Sequence, residues 1–210
     1  PAQKPEVMMR LYHSLTTPFG RKVMVALQES GQMADVEVIE VSGTPLLPGT
    51  LPVAHNPLGK IPALELQGGQ VIYDSRVICR YLDARSGGRL YPTGPHLWQT
   101  LTLEALADGM LDAAVLMAYE VRIRPENLRF ADWIEAQWQK VDRGLNALER
   151  DWIPHLTGSF DMAQIGVACA LGYLDFRHDP RDWRKGRPAL AAWFADFSRR
   201  ESMAATVPKL

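Results

Sequence analysis

Cysteine is scarce in this chain. Two occur in 210 residues, Cys79 and Cys169, far apart and without a Cys-x-x-Cys pair. Neither a disulfide framework nor a zinc site is supported by that pattern. Long apolar runs are missing too: none approaches the roughly 20 residues of a membrane span. Charge of one sign is not in excess. The formal net charge is −1, and residues 1–88 carry 8 basic against 8 acidic side chains. A nucleic-acid surface would call for a clustered basic excess, so no nucleic-acid or membrane partner is expected. The start, Pro-Ala-Gln-Lys-Pro-Glu, is polar and lacks the pattern of a signal peptide. A cytoplasmic protein is the expectation. What is present is apolar content of 47% with 22% charged residues, enough for a real core in one or two domains.

The chain order predicts the fold. Val7 to Tyr12 reads as a strand. Pro18 suits a first helical position, which makes Thr17 the N-cap, and Gly31 suits the left-handed residue that closes the helix. Val36 to Val41 is a second strand, parallel to the first because a helix connects them. Residues 42–55 read as a mobile loop rich in Gly, Pro and Thr. Ala63 to Leu66 and Val71 to Tyr73, joined by Gly68-Gly69, form a hairpin, and Asp74 or Ser75 caps the helix that follows. The first part is therefore βαβ followed by ββα. A linker with Gly87, Gly88, Pro92, Gly94 and Pro95 comes next, and beyond it only helical periodicity is found. The boundaries expected are 1–86, a linker at 87–97, and 98–210. Within the helical part Asp161 caps a helix, with Gln164 at the reciprocal capping-box position. That helix, Met162 to Leu174, is apolar nearly all round and should be central. Pro188 opens the last helix, and Arg181, Arg184, Lys185 and Arg187, interleaved with Asp179 and Asp182, read as a solvated turn.

One stretch, Asn56 to Ser75, could carry chemistry. A cis bond before Pro62 would turn the Ile61 N–H and C=O outward, where they could pair with an extended peptide as an added strand does. The N–H groups at Asp74, Ser75 and Arg76 open a helix, where orphan donors and the positive dipole end suit a carboxylate. Lys60 adds a positive charge. The set fits a small peptide with a carboxylate at each end. A hairpin, a capped helix and a solvated lysine would also account for these residues.

A resemblance enters here. Leu11-Tyr12, then Thr17-Pro18-Phe19-x-Arg21-Lys22-Val23, then Asn56-Pro57-Leu58-Gly59-Lys60-Ile61-Pro62-Ala63-Leu64, then Asp74-Ser75-Arg76-x-Ile78, with Ala170-Leu171-x-Tyr173-Leu174-Asp175-Phe176-Arg177 in the central helix, resemble the cytosolic glutathione S-transferases over essentially the whole length. The closest likeness is to bacterial-type members with a hydroxyl residue at the active site. The resemblance implies an α+β thioredoxin-like N-terminal domain, an all-α C-terminal domain, a homodimer and a role in detoxification. It implies glutathione as co-substrate, no metal, and a small apolar electrophile held between the domains. A non-catalytic module of the same fold, binding a ligand or a protein, is the alternative.

The family's roles carry over by position. Ile61, before cis-Pro62, resembles the residue that pairs with the cysteinyl backbone of glutathione. Lys60 resembles a side chain near the glycyl end, and Asp74 with Ser75 the pair that holds the γ-glutamyl group. Thr17 sits where the active-site serine is usual. The thiolate is the nucleophile, and a free thiol near pKa 8.5 is ionised by only a few per cent at pH 7. A hydroxyl donating to sulfur, at a helix N-terminus, favours the anion. With one donor and two lone pairs, Thr17 could cap its helix and donate at once. Thr16 or Ser14 could instead face the ligand. Gln164 replaces an acidic residue usual in the family and is expected to serve the same capping box. His55 reads as a loop or interface residue, and the two cysteines as core thiols.

Overall fold

The computed structural model describes residues 9–209. Within them the chain divides into two compact units, one running to Tyr91 and taking back the segment from Ala205, the other Pro92–Ala204.

The first unit follows the alternation of its strands. β1 (Met9–His13) buries Met9, Leu11 and His13 and turns Arg10 and Tyr12 the other way, the period of two expected of a strand. The start expected at Val7 lies outside the described residues. β1 pairs in parallel with β2 (Val36–Glu40) and antiparallel with β3 (Ala63–Leu66), which pairs antiparallel with β4 (Val71–Ile72). The sheet order is β2-β1-β3-β4. α1 (Pro18–Glu29) covers it with Val23, Val25, Ala26 and Leu27, all fully buried. Each buried Val or Leu contributes on the order of 1.5–3 kcal/mol, and the single methyl of Ala26 less. Gly31 ends α1 at φ 69°, the conformation its sequence position predicted. Gly68 and Gly69, at φ 96° and 88°, make the tight turn of the β3–β4 hairpin. α2 (Ser75–Arg85) buries Ile78, Cys79 and Leu82. Asp83, 4% exposed, accepts from the N–H groups of Leu90 at 2.6 Å and Tyr91 at 3.2 Å, and so fixes the turn after α2.

The loop at 42–55 is tied internally. The Thr50 hydroxyl accepts from Ser42 N–H, and Thr44 and Leu47 bond each other's backbone. Its end is pinned to the sheet. His55 stacks on Tyr12 at 4.8 Å, and the Tyr12 hydroxyl meets His55 Nε2 at 3.0 Å and donates to Glu65 at 2.9 Å. Near the far end of the chain, Arg21 of α1, 6% exposed, donates to the Thr206 hydroxyl at 3.3 Å.

The second unit is helical: α3 (His96–Arg122), α4 (Ala131–Ala147), running through a π-helical turn at Leu148–Trp152 into α5 (Ile153–Leu156), α6 (Met162–His178), α7 (Pro188–Phe197) and α8 (Glu201–Ala205). The helix opened by Pro188 is thus followed by one more short helix. α6 is buried at every position from Met162 to Leu171, and again at Tyr173 and Leu174, as its all-round apolarity requires. Cys169 lies inside it and Cys79 inside α2, both buried. Among the described residues no helix is long and apolar enough to cross a membrane.

Two local readings change. Asp161 does cap α6, accepting from Gln164 N–H at 3.2 Å, but it also accepts from Thr100 Oγ1 at 2.7 Å and lies 2.8 Å from His155 Nε2. Gln164 uses its amide nitrogen on the preceding loop, facing the carbonyls of His155 at 3.2 Å, Gly158 at 3.4 Å and Ser159 at 3.1 Å. A carboxylate has no proton for that work, so glutamine and an acid are not equivalent here. The turn at 179–187 is not merely solvated. Arg187, 7% exposed, reaches Asp142 at 2.5 Å and Asn146 at 2.8 Å, while Arg184 forks onto Asp175 and Arg181 pairs with Glu135. Asp142, Glu135 and Asn146 belong to α4, some 40 residues earlier, where no local charge pattern could reveal them.

Candidate active site

Three chain segments meet at one end of the sheet, where β1 and β4 finish and β3 begins. The register Tyr12↔Ala63 places the end of β1 beside the start of β3, and Leu64↔Ile72 places the end of β4 there as well. The loop leading from β1 to Thr17, the Ile61-Pro62 segment and Asp74-Ser75 therefore leave the sheet together.

The Asn56–Pro62 segment is built by one side chain. Asn56, 2% exposed, accepts from Leu58 N–H at 3.0 Å and donates to the Lys60 carbonyl at 2.8 Å. Gly59, at φ 61°, closes the turn with its N–H on the Asn56 carbonyl at 2.8 Å. The Ile61–Pro62 bond is cis, as the sequence reading entertained, and so is Tyr73–Asp74. Pro62 is buried, Ile61 half-buried and Lys60 exposed. The sequence marked Asn56 only as turn punctuation. Its two bonds show that it holds the backbone of Lys60 in place.

Asp74 is the N-cap of α2 and Ser75, 3% exposed, its first residue. One Asp74 oxygen accepts from Arg76 N–H at 3.0 Å, the other from the Arg76 guanidinium at 2.9 Å. Partial burial pushes the Asp74 carboxyl up, but the bonds from Arg76 outweigh it and hold the pKa below its ordinary value. Of the three N–H donors expected to face a ligand, the one at Arg76 is therefore committed to Asp74.

Thr17 has the extended conformation of an N-cap, φ −84° and ψ 121°, ahead of Pro18. Its hydroxyl makes no capping bond, so the expected double duty as cap and donor does not hold. Ser14 and Thr16 instead satisfy each other, Oγ to Oγ1 at 3.2 Å. Beneath Thr17 lies a residue the sequence reading did not single out, His13. It is 5% exposed, and its Nδ1 is buried without a hydrogen-bond partner. The alternation Met9, Leu11, His13 was the available signal, since it places an imidazole on the inward face.

Burial alone pushes the His13 pKa down from 6.5 to about 4. The unfolded chain therefore takes up this proton first as pH falls. The associated stability is complete above about pH 6.5 and is lost as pH drops toward 4, by on the order of 2–3 kcal/mol. Urea unfolding at pH 7 and pH 4.5 measures it. His13→Phe is expected to remove most of that pH-dependent drop, and an unchanged drop would refute the assignment.

Known proteins give this geometry a setting. The family model of the glutathione S-transferase N-terminal domain matches residues 16–85, and that of the C-terminal domain matches residues 131–196. The GST-like protein YibF of Escherichia coli is 32% identical over 204 residues, covering 95% of this chain and 98% of its own. The chain belongs to the glutathione S-transferase family. A glutathione transferase family member from Pseudomonas fluorescens Pf-5, solved with bound glutathione, is 47% identical with a TM-score of 0.94, over 96% of this chain and 100% of that one. The same relative is also known with bound S-(propanoic acid)-glutathione, at a TM-score of 0.89. The glutathione S-transferase architecture, a thioredoxin-like unit followed by a helical one, is the α+β fold described above.

Proposed function

We propose that this chain binds glutathione at that end of the sheet and activates its thiol for attack on a small apolar electrophile. The observation that carries the reading is the convergence of the Thr17 loop, the Ile61-Pro62 segment and Asp74-Ser75 at that end. In this reading the Ile61 main chain pairs with the cysteinyl backbone beside Pro62, Lys60 neutralises the glycyl carboxylate, and Asp74 with Ser75 holds the γ-glutamyl group. Thr17 Oγ1, unused by its own helix, donates to the sulfur. A charged acceptor strengthens such a bond. The relative with S-(propanoic acid)-glutathione holds a thioether of glutathione, which is the kind of product that conjugation yields, and this favours transfer over mere binding. A cytoplasmic location and a homodimer belong to the same proposal, and peroxidase or thiol-transfer chemistry would use the same thiolate.

Calorimetric titration with glutathione at pH 6.5, with thiolate absorbance followed in the ultraviolet, tests the reading. Saturable binding with a thiolate signal is expected, followed by turnover of a generic aromatic halide. No binding at millimolar glutathione would sink the proposal. Binding with neither thiolate nor turnover would favour the ligand-binding module.

A further inference from the structure

β1 turns three side chains into the interior, and only one of them, His13, is polar. Leaving a buried polar atom without a partner is costly, so the position needs an account other than core filling. The ring lies under the first turn of α1, in a space shared by two other groups. A β-carbon built on Gly20 would stand 2.2 Å from His13 Nδ1, 2.9 Å from its Cε1 and 2.5 Å from Thr17 Cγ2. The imidazole, the Thr17 methyl and the bare α-carbon of Gly20 thus meet around one point. Any side chain at position 20 would collide with both of the others.

The ring nitrogen and the Thr17 methyl carbon, 2.2 Å and 2.5 Å from that one point, are at most 4.7 Å apart (2.2 + 2.5), and this closeness bears on the hydroxyl. The methyl and hydroxyl of threonine hang on one torsion angle, so a neighbour that fixes Cγ2 also fixes Oγ1. The Thr17 hydroxyl is not held by a capping bond, so packing against the methyl is the restraint in view. We propose that His13 is a positioning residue: its ring, wedged beneath Gly20, holds the Thr17 methyl inward and thereby aims the Thr17 hydroxyl at the sulfur of bound glutathione. The proposal rests on the role given to Thr17 above. His13 acts by shape and takes no proton, because its buried ring is neutral at neutral pH. The pairing also gives threonine a purpose at this position, since serine offers the ring nothing to hold.

The test is a double-mutant cycle in the full chain, read by the thiolate titration of bound glutathione alongside glutathione affinity. His13→Ala and Thr17→Ser should each raise the bound thiol pKa by about half a unit to one unit, a three- to tenfold loss in the thiolate-to-thiol ratio. The double variant should be no worse than either single one, because both remove the same contact. Glutathione affinity should stay within about twofold, and His13→Phe, which keeps a ring, should restore most of the shift. His13→Val, a good strand former too short to reach Gly20, serves if the alanine variant fails to fold. A thiol pKa unmoved in the His13 variants, while Thr17→Ala raises it, overturns the positioning role and leaves the Thr17 reading standing. Additive effects of His13→Ala and Thr17→Ser overturn it as well. A wild-type complex without thiolate overturns both.

Discussion

Replacing Thr17 with alanine is expected to cut glutathione-dependent conjugation at pH 6.5 by about 10- to 100-fold while glutathione still binds. The reasoning is electrostatic. A hydrogen bond to a charged partner contributes about 1.5–3 kcal/mol, which corresponds to roughly one to two pKa units on the thiol. With the hydroxyl gone, the bound thiol should titrate near the ordinary value of about 8.5. The loss then belongs to the thiolate fraction and should shrink as the assay pH is raised. In the proposed site affinity comes from the Ile61-Pro62 and Asp74-Ser75 segments, which the substitution does not touch, so the Michaelis constant for glutathione should move little. A thiol pKa and turnover unchanged in Thr17→Ala would refute the assignment and return attention to Ser14 and Thr16. Those two hydroxyls already bond each other.

Asp161→Ala should produce a large loss of stability, about 2–4 kcal/mol. The substitution removes a helix cap, worth about 0.5–2 kcal/mol. It also removes the carboxylate that Thr100, fully buried, bonds at 2.7 Å, leaving that hydroxyl its longer bond to the His96 carbonyl at 3.2 Å, and it takes a partner from the partly buried His155. A hydrogen bond to a charged group contributes about 1.5–3 kcal/mol, and the bond that Thr100 keeps offsets part of its loss. Against a total stability of about 5–15 kcal/mol for a domain, that is a severe fraction. Urea denaturation should show the midpoint falling with little change in slope. Asp161→Asn retains an acceptor for the cap and should recover well over half of the loss. A stability for Asp161→Ala within about 1 kcal/mol of wild type would show that neither Thr100 nor His155 depends on this carboxylate.

The parts legible in the sequence were those set by local rules. Period-two alternation, Pro18 at a helix start, the Gly68-Gly69 turn and the all-round apolarity of α6 each state their conformation within a few residues, and each is observed. The parts that were not legible depend on partners far away in the chain. Arg187 finds Asp142 across 45 residues, and Gln164 turns its amide to loop carbonyls that a capping-box pattern does not mention. The candidate site divides in the same way. Position assigned Thr17 to the head of α1, but the direction of its hydroxyl depends on whether the cap is made, and the cap is not made. His13 shows the limit most clearly. Its facing could be read from alternation, whereas its closeness to Gly20 exists only once helix and strand are packed. Asn56 is a third case, a turn residue by type whose two bonds fix the backbone ahead of Pro62.

The bond from Arg21 to Thr206 has a bearing on the order in which the protein is made. The sheet and its two helices are complete in sequence by Arg85, yet the unit they form takes back residues from Ala205 onward. More than half of the polypeptide, the whole helical unit, is synthesised between the two parts. Chains generally begin folding from the end that emerges first, and closing so long a loop costs only slightly more than closing one half its length. The unit carrying the proposed glutathione site therefore leaves the ribosome before the helical one, yet acquires its full set of contacts only after the helical one has been made.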